Sequence, residues 1–147
     1  QGILKPGVQA PGPGLYLLDV VPDGEVRFGF PNISDNAEIV ELISCGAHLT
    51  LFTTGRGSVV GSAISPVIKI CANPDTYKHL HEDMDINAGQ ILQGTASLDD
   101  IGNSIVELIC QVAQGQASKS EAMGHQEFIL TYKYFHPQQG ASCSRNF

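Results

Sequence analysis

The chain reads as an α/β domain, three-layered and Rossmann-like, with a mostly parallel sheet flanked by helices. Three observations lead there. Apolar runs of strand length alternate with amphipathic stretches of helical period. Serine or asparagine caps open the helical stretches and glycines close them. The 147 residues, 42% hydrophobic and 16% charged, are enough for one domain with a real core.

Residues 1–14, with Pro6, Gly7, Pro11, Gly12, Pro13 and Gly14, read as a linker or arm without regular structure. A chain that begins this way is expected to be part of something longer. Residues 15–147 read as the single domain. Leu15 to Val21 is an apolar run, a buried strand closed by a turn at Pro22, Asp23 and Gly24. Ser34 caps a helix to about Cys45, with Ile39, Leu42 and Ile43 on one face and Gly46 as the stop. Ala47 to Phe52 is the next strand. Val67 to Cys71 follows Pro66 as another. Asn73 and Pro74 open a short helix to about His81. Ser97 to Asp100 is a capping box with Asp where Glu or Gln is usual. It begins the clearest helix, with Ile101, Ile105, Leu108, Ile109 and Val112 in one stripe and Gly115 at the end. Ser118 to Glu121 caps a last short helix that stops at Gly124. Phe128 to Phe135 favours extended structure.

Composition excludes several classes. Fifteen acidic against eight basic residues give a net charge of −7, and no basic cluster offers a nucleic-acid surface. No apolar run approaches the roughly 18–20 residues of a membrane span, and no charged-then-apolar leader is seen. Cys45, Cys71, Cys110 and Cys143 form no C-x-x-C pair. The first three sit beside apolar residues, as small core hydrophobes do. Reduced thiols in a cytoplasmic protein are expected.

The most informative stretch is Thr53-Thr54-Gly55-Arg56-Gly57-Ser58. Its glycines let the backbone approach an anion, and its arginine offers a planar fork to a carboxylate. In parallel sheets ligands bind beyond the carboxyl ends of strands, which is where this loop falls. Thr53, Thr54, Gly55, Arg56 and Gly57 are therefore candidate binders of a small anionic substrate. The spacing fits neither a G-x-x-x-x-G-K-[ST] loop nor a dinucleotide G-x-G-x-x-G. The plainer alternative is a glycine-rich turn with a solvated arginine.

In the segment from Glu82 to Gly89, Asp83, Asp85 and Asn87 alternate like the first ligands of a calcium loop. The glycine then falls one position late and no glutamate closes the loop. A looser oxygen-ligand metal site at Asp83 and Asp85 stays open, as does a reading in which the acids cap helices. His79 and His81 are two residues apart and point to different helix faces. His125 is a candidate acid or base that Glu127 would orient, against a structural role for both. Lys69 is either a cation at a strand end or a rim residue. No G-x-S-x-G or activated cysteine supports covalent hydrolysis.

Five of these segments occur in one order: Gly14 to Asp19 (GLYLLD), Leu51 to Gly57 (LFTTGRG), Pro66 to Ile70 (PVIKI), Asp83 to Gly89 (DMDINAG) and Gly124 to Phe128 (GHQEF). Together they resemble the C-terminal domain of the altronate and galactarate dehydratases, a sugar-acid hydro-lyase family, from Gln1 to about Tyr134. The resemblance implies loss of water from a hexonate or hexarate to give a 2-keto-3-deoxy acid. It implies dependence on a divalent metal, Fe²⁺ or Mn²⁺, bound mainly by other domains of a longer enzyme. It implies that those domains supply part of the active site, so that this domain is inactive alone, and it is compatible with a homo-oligomer. Arg56 would take the substrate carboxylate, helped by Thr53, Thr54 and the loop N–H groups. Asn87 would bind a hydroxyl, Asp83 and Asp85 a hydroxyl or the metal. The sulfolactate sulfo-lyases share the architecture and form the alternative, beside a non-catalytic anion-binding or assembly domain.

Overall fold

The computed structural model describes residues 2–20 and 34–129. Strands β1 (Gly2–Leu4) and β2 (Tyr16–Leu18) pair in parallel, with Ile3 opposite Leu17. Helix α1 (Asp35–Ser44) leads into β3 (Thr50–Thr54) and β4 (Val67–Cys71). Helix α2 (Pro74–His79) connects to β5 (Ile86–Asn87) and a 3₁₀ turn at Ala88–Gln90. Helices α3 (Leu98–Ala113) and α4 (Lys119–Ala122) follow. The second sheet has the order β3-β4-β5, all parallel. The α/β reading with parallel sheets flanked by helices holds.

All five residues of β4 are buried, as a central parallel strand covered on both faces requires. Side chains alternate between faces, and the two faces have different covers. Ile68 and Ile70 pack against Val112, Ile105, Leu108 and Ile109 of α3, with Leu49 and Ile86 beside them. Val67 packs with Ile39 and Ile43 of α1, Val60 and Phe52. A fully buried isoleucine of this kind stabilises the fold by about 1.5–3 kcal/mol. Lys69 and Cys71 share the Val67 face.

The helix starts follow the sequence. Ser34 accepts from the Ala37 N–H, and Asn73 from those of Asp75 and Thr76. Asp100 completes the first capping box by accepting from the Ser97 N–H at 2.9 Å, so aspartate reaches far enough. Hydrogen bonds from the Ser97 hydroxyl and then its N–H hold the Asp100 carboxyl below its ordinary range. Ser118 and Glu121 form the second box.

Several boundaries differ from expectation. The arm contains β1, so its prolines and glycines punctuate a connection between two strands. Lys5 pairs with Asp19 at 3.0 Å, and Gly7 N–H donates to Ser44 Oγ, which docks the arm on the end of α1. Strand β3 is shifted toward its threonines, whose branched side chains suit extended backbone. Strand β5 is only two residues long, too short to read from alternation. Helix α2 ends at His79. On α1, Glu41 is buried while Leu42 is 36% exposed. Cys110 is exposed on α3, not a core residue, whereas Cys71 is buried and Cys45 half-buried; all three are free thiols. Phe128 and Ile129 are not in a strand. The rest of that expected strand, the turn at residues 22–24 and Cys143 lie outside the described residues. Among the described residues no helix is long and apolar enough to cross a membrane.

Candidate anion-binding site at the strand ends

Parallel pairing puts the carboxyl ends of β3, β4 and β5 on one edge, where Thr54 aligns with Cys71 and Cys71 with Asn87. The loop after β3 is held from inside and from α2. Thr54 Oγ1 accepts from the Gly57 N–H at 3.0 Å, and Thr76 Oγ1 donates to the Gly55 carbonyl at 3.0 Å. Gly57 has φ +86°, and a β-carbon there would collide with Leu80 Cδ1, so glycine is required twice over. Arg56 is exposed and forms no hydrogen bond or ion pair with the described residues. A fixed backbone thus presents a free guanidinium. Thr53 lies opposite Ile70 in register and Thr54 opposite Cys71, so the two threonines face opposite sides of the sheet. Only Thr54 folds into the loop.

Asp85 works as a clamp. Its Oδ2 accepts from the Lys69 N–H at 2.7 Å and its Oδ1 from the Lys119 N–H at 2.9 Å, while its own N–H donates to the Lys69 carbonyl. One carboxylate therefore ties β4 to the start of α4. Lys119 Nζ donates to the carbonyls of His81 and Met84 and sits 5.7 Å above the Tyr77 ring. Asp83 is half-buried. Among the described residues no group of three or more His, Cys, Asp or Glu side chains could hold a metal ion, and both Asp85 oxygens already have backbone donors. These residues do not by themselves fit the divalent ion. His79 is exposed, its Nδ1 2.7 Å from the Asp75 carbonyl oxygen, and His81 is exposed as well.

Beneath this edge lies a group that the spacing rules left undecided. Lys69 is fully buried, and among the described residues its Nζ has no hydrogen-bond partner. Burial pulls its pKa below the ordinary value of 10.5, opposed by the charges of Asp83, Asp85 and Glu127 and reinforced by Lys119. Asn87 Oδ1 and His125 Nδ1 are also buried without partners among the described residues. Asn87 shares the Lys69 face, because its register partner is Cys71. Glu127 Oε2 accepts from the Gly61 N–H at 3.1 Å, so this carboxylate anchors its own segment to the loop and does not hold the His125 Nδ1. A β-carbon on Gly61 would lie 2.5 Å from the His125 carbonyl oxygen. The available signal for Lys69 was a charge inside an otherwise apolar run, Val67-Ile-Lys-Ile-Cys71, which burial makes costly.

The fold is thus a parallel α/β domain with an exposed arginine at the carboxyl edge of its sheet. The chain is a member of the D-galactarate/altronate dehydratase C-terminal family, which matches residues 1–136. It is 34% identical over 134 residues to the (2R)-sulfolactate sulfo-lyase subunit beta of Chromohalobacter salexigens, covering 90% of this chain and 31% of that protein. It is 34% identical over 74 residues to the galactarate dehydratase (L-threo-forming) of Escherichia coli, covering 50% of this chain and 14% of that protein. To the altronate dehydratase of Escherichia coli it is 26% identical over 128 residues, covering 87% and 23%. The chain thus spans less than a third of the length of each of these relatives.

Proposed function

We propose that this chain is the C-terminal domain of a lyase that removes a β-substituent from a small anionic 2-hydroxy acid. Loss of water from a sugar acid such as altronate or galactarate, giving a 2-keto-3-deoxy acid, is the first reading. The observation that carries it is the Arg56 loop, a free guanidinium on a braced backbone at the sheet edge where ligands bind, in a chain of this family.

The chemistry sets what the site must do. The proton next to the carboxylate leaves, and its electron pair delocalises into the carboxylate to give a dianion. The carbon–oxygen bond at the next carbon then breaks as an acid protonates the departing hydroxyl. The resulting enol tautomerises to the 2-keto acid. Arg56 binds the substrate carboxylate through its paired N–H groups, with Thr54 and the loop N–H groups beside it. Asn87 takes a substrate hydroxyl. His125 is the acid or base, on a segment that Glu127 fastens to Gly61. A metal, Fe²⁺ or Mn²⁺, would be held mainly by donors outside this chain, with Asp83 the nearer of the two aspartates to being available. The enzyme is taken to be cytoplasmic, completed by its remaining domains and assembled as a homo-oligomer.

A second reading replaces the hydroxyl by sulfite as the leaving group. It is favoured by the 34% identity to the sulfo-lyase subunit over 90% of this chain. The α-proton and the carboxylate are the same in both. A single assay separates them: full-length enzyme and this chain alone, with altronate, galactarate and (2R)-sulfolactate, with and without Fe²⁺ or Mn²⁺. Turnover by the full-length enzyme and silence of the chain is the expected result. The preferred substrate selects between the readings, and silence of the full-length enzyme on all three overturns both.

A further inference from the structure

Two peptide units flank Arg56, and a threonine hydroxyl pins each of them. The unit between Arg56 and Gly57 is held from its own strand, where the Gly57 N–H donates to Thr54 Oγ1 at 3.0 Å. The unit between Gly55 and Arg56 is held from α2, where Thr76 Oγ1 donates to the Gly55 carbonyl at 3.0 Å. Peptide units are planar, so fixing both leaves the Arg56 backbone little freedom. Without the Thr76 bond, the permissive backbone of Gly55 can turn its carbonyl away.

Helix α2 is itself seated between two glycines. On the loop side, a β-carbon on Gly57 would lie 3.1 Å from Thr76 Cγ2 and would overlap Leu80 Cδ1. Thr76 and Leu80 are four residues apart, so both project from one face. At the start of the helix, a β-carbon on Gly89 would lie 2.5 Å from Pro74 N and 2.6 Å from Pro74 Cδ. Main chain and a locked proline ring do not swing aside as a flexible side chain does. Cys71 Sγ also donates to the carbonyl of the Asn73 cap at 3.3 Å, which ties the helix start to the end of β4. The segments 51–57 and 83–89 thus meet through one six-residue helix.

We propose that Thr76 is a positioning residue for Arg56, and that α2, seated between Gly57 and Gly89, carries the placement of segment 83–89 to the Arg56 loop. The role rests on the reading of that loop as the anion site. Thr76 acts through Arg56 and not on the anion. It orders the loop before the ligand arrives, so its loss lowers affinity by the cost of ordering.

Nuclear magnetic resonance on the isotopically labelled 147-residue chain tests this with Thr76→Val, Thr76→Ser and Gly89→Ala. Valine keeps the shape and removes the hydroxyl, whereas serine keeps the hydroxyl. In the ligand-free protein the order parameter of the Arg56 amide should be about 0.85 in wild type and Thr76→Ser, and should fall toward about 0.6 in Thr76→Val. The Gly55 carbonyl carbon should shift in Thr76→Val alone of that pair. Gly89→Ala should lower the same order parameter from the far end of α2. Galactarate should bind Thr76→Val and Gly89→Ala at least about fivefold more weakly than wild type, and Thr76→Ser as wild type does. Unmoved α3 amides show that a variant is folded, and the two Thr76 variants decide the matter if Gly89→Ala is not. An unchanged Arg56 amide in a folded Thr76→Val, or no recovery in Thr76→Ser, overturns the positioning role. A folded Gly89→Ala with an undisturbed loop overturns the seating of α2. A loosened loop with unchanged galactarate affinity, or no galactarate binding by the wild type, overturns the anion-site reading and leaves the hold of α2 on the loop.

Discussion

Two cations, one on the loop after β3 and one within β4, are opposites. Arg56 stands in water on a loop that the protein has fixed from behind, through Thr54, Thr76 and Gly57. Lys69 is buried in the central strand, under the electrostatic influence of Asp83, Asp85 and Glu127, and among the described residues its Nζ has no hydrogen bond. An exposed charge is screened and draws anions of many kinds. A buried charge meets a low dielectric, where one well-matched partner is strongly favoured and a mismatch is costly. The first suits capture and the second discrimination. Changes in the two regions should therefore differ in kind, with the scaffold of the buried region the most sensitive.

The largest effect is expected at Asp85. Asp85→Ala leaves the Lys69 and Lys119 N–H groups without their acceptor, a loss of about 2–6 kcal/mol at roughly 1–3 per orphaned group. Urea unfolding measures it, and a loss below the effect of an ordinary surface substitution would show that water replaces the clamp. Next comes Gly61→Ala, whose β-carbon would meet the His125 carbonyl oxygen and Cβ at 2.5 and 2.7 Å. Relief of that overlap costs about 1–3 kcal/mol and should shift the segment from His125 to Glu127, seen as a lower Tm.

Lys69→Met exchanges an unpaired amine for an apolar side chain of similar length, so stability should stay level or rise. The pH dependence is the sharper readout. The folded pKa of Lys69 lies below 10.5, so the unfolded chain binds that proton more tightly. Wild-type stability should gain from this group as pH climbs through the folded pKa toward about 10.5. The Met variant should lack that gain, as pH-resolved thermal unfolding would show. A gain of equal size in both proteins would assign it to other groups. The smallest stability effect is expected at Arg56, where Arg56→Ala should stay within about 0.5 kcal/mol yet weaken binding of every anion tested.

The same contrast explains what the sequence revealed. Glycines flanking an arginine after an apolar run announce a loop, because few other residues tolerate the backbone that Gly57 adopts. Caps announce helices for the same local reason, and Ser97 with Asp100 performs as its spacing suggests. Asp85 is different. Its alternation with Asp83 and Asn87 looks like a ligand set, but its use as a bridge between β4 and α4 depends on a contact 34 residues away in the chain. Lys69 and Asn87 come to share a face only through strand pairing, so no local pattern joins them. The five motifs in order carried the family because they record that packing without describing it.

The most direct test of the central claim, that the Arg56 loop takes the substrate carboxylate, is a titration of the isotopically labelled chain with galactarate, followed by backbone amide NMR. The expected result is a saturating set of shifts that includes the Gly55 to Gly57 amides and is lost in Arg56→Ala. Unmoved Gly55 to Gly57 amides at a galactarate concentration that saturates shifts elsewhere, or the same shifts in Arg56→Ala, would contradict it.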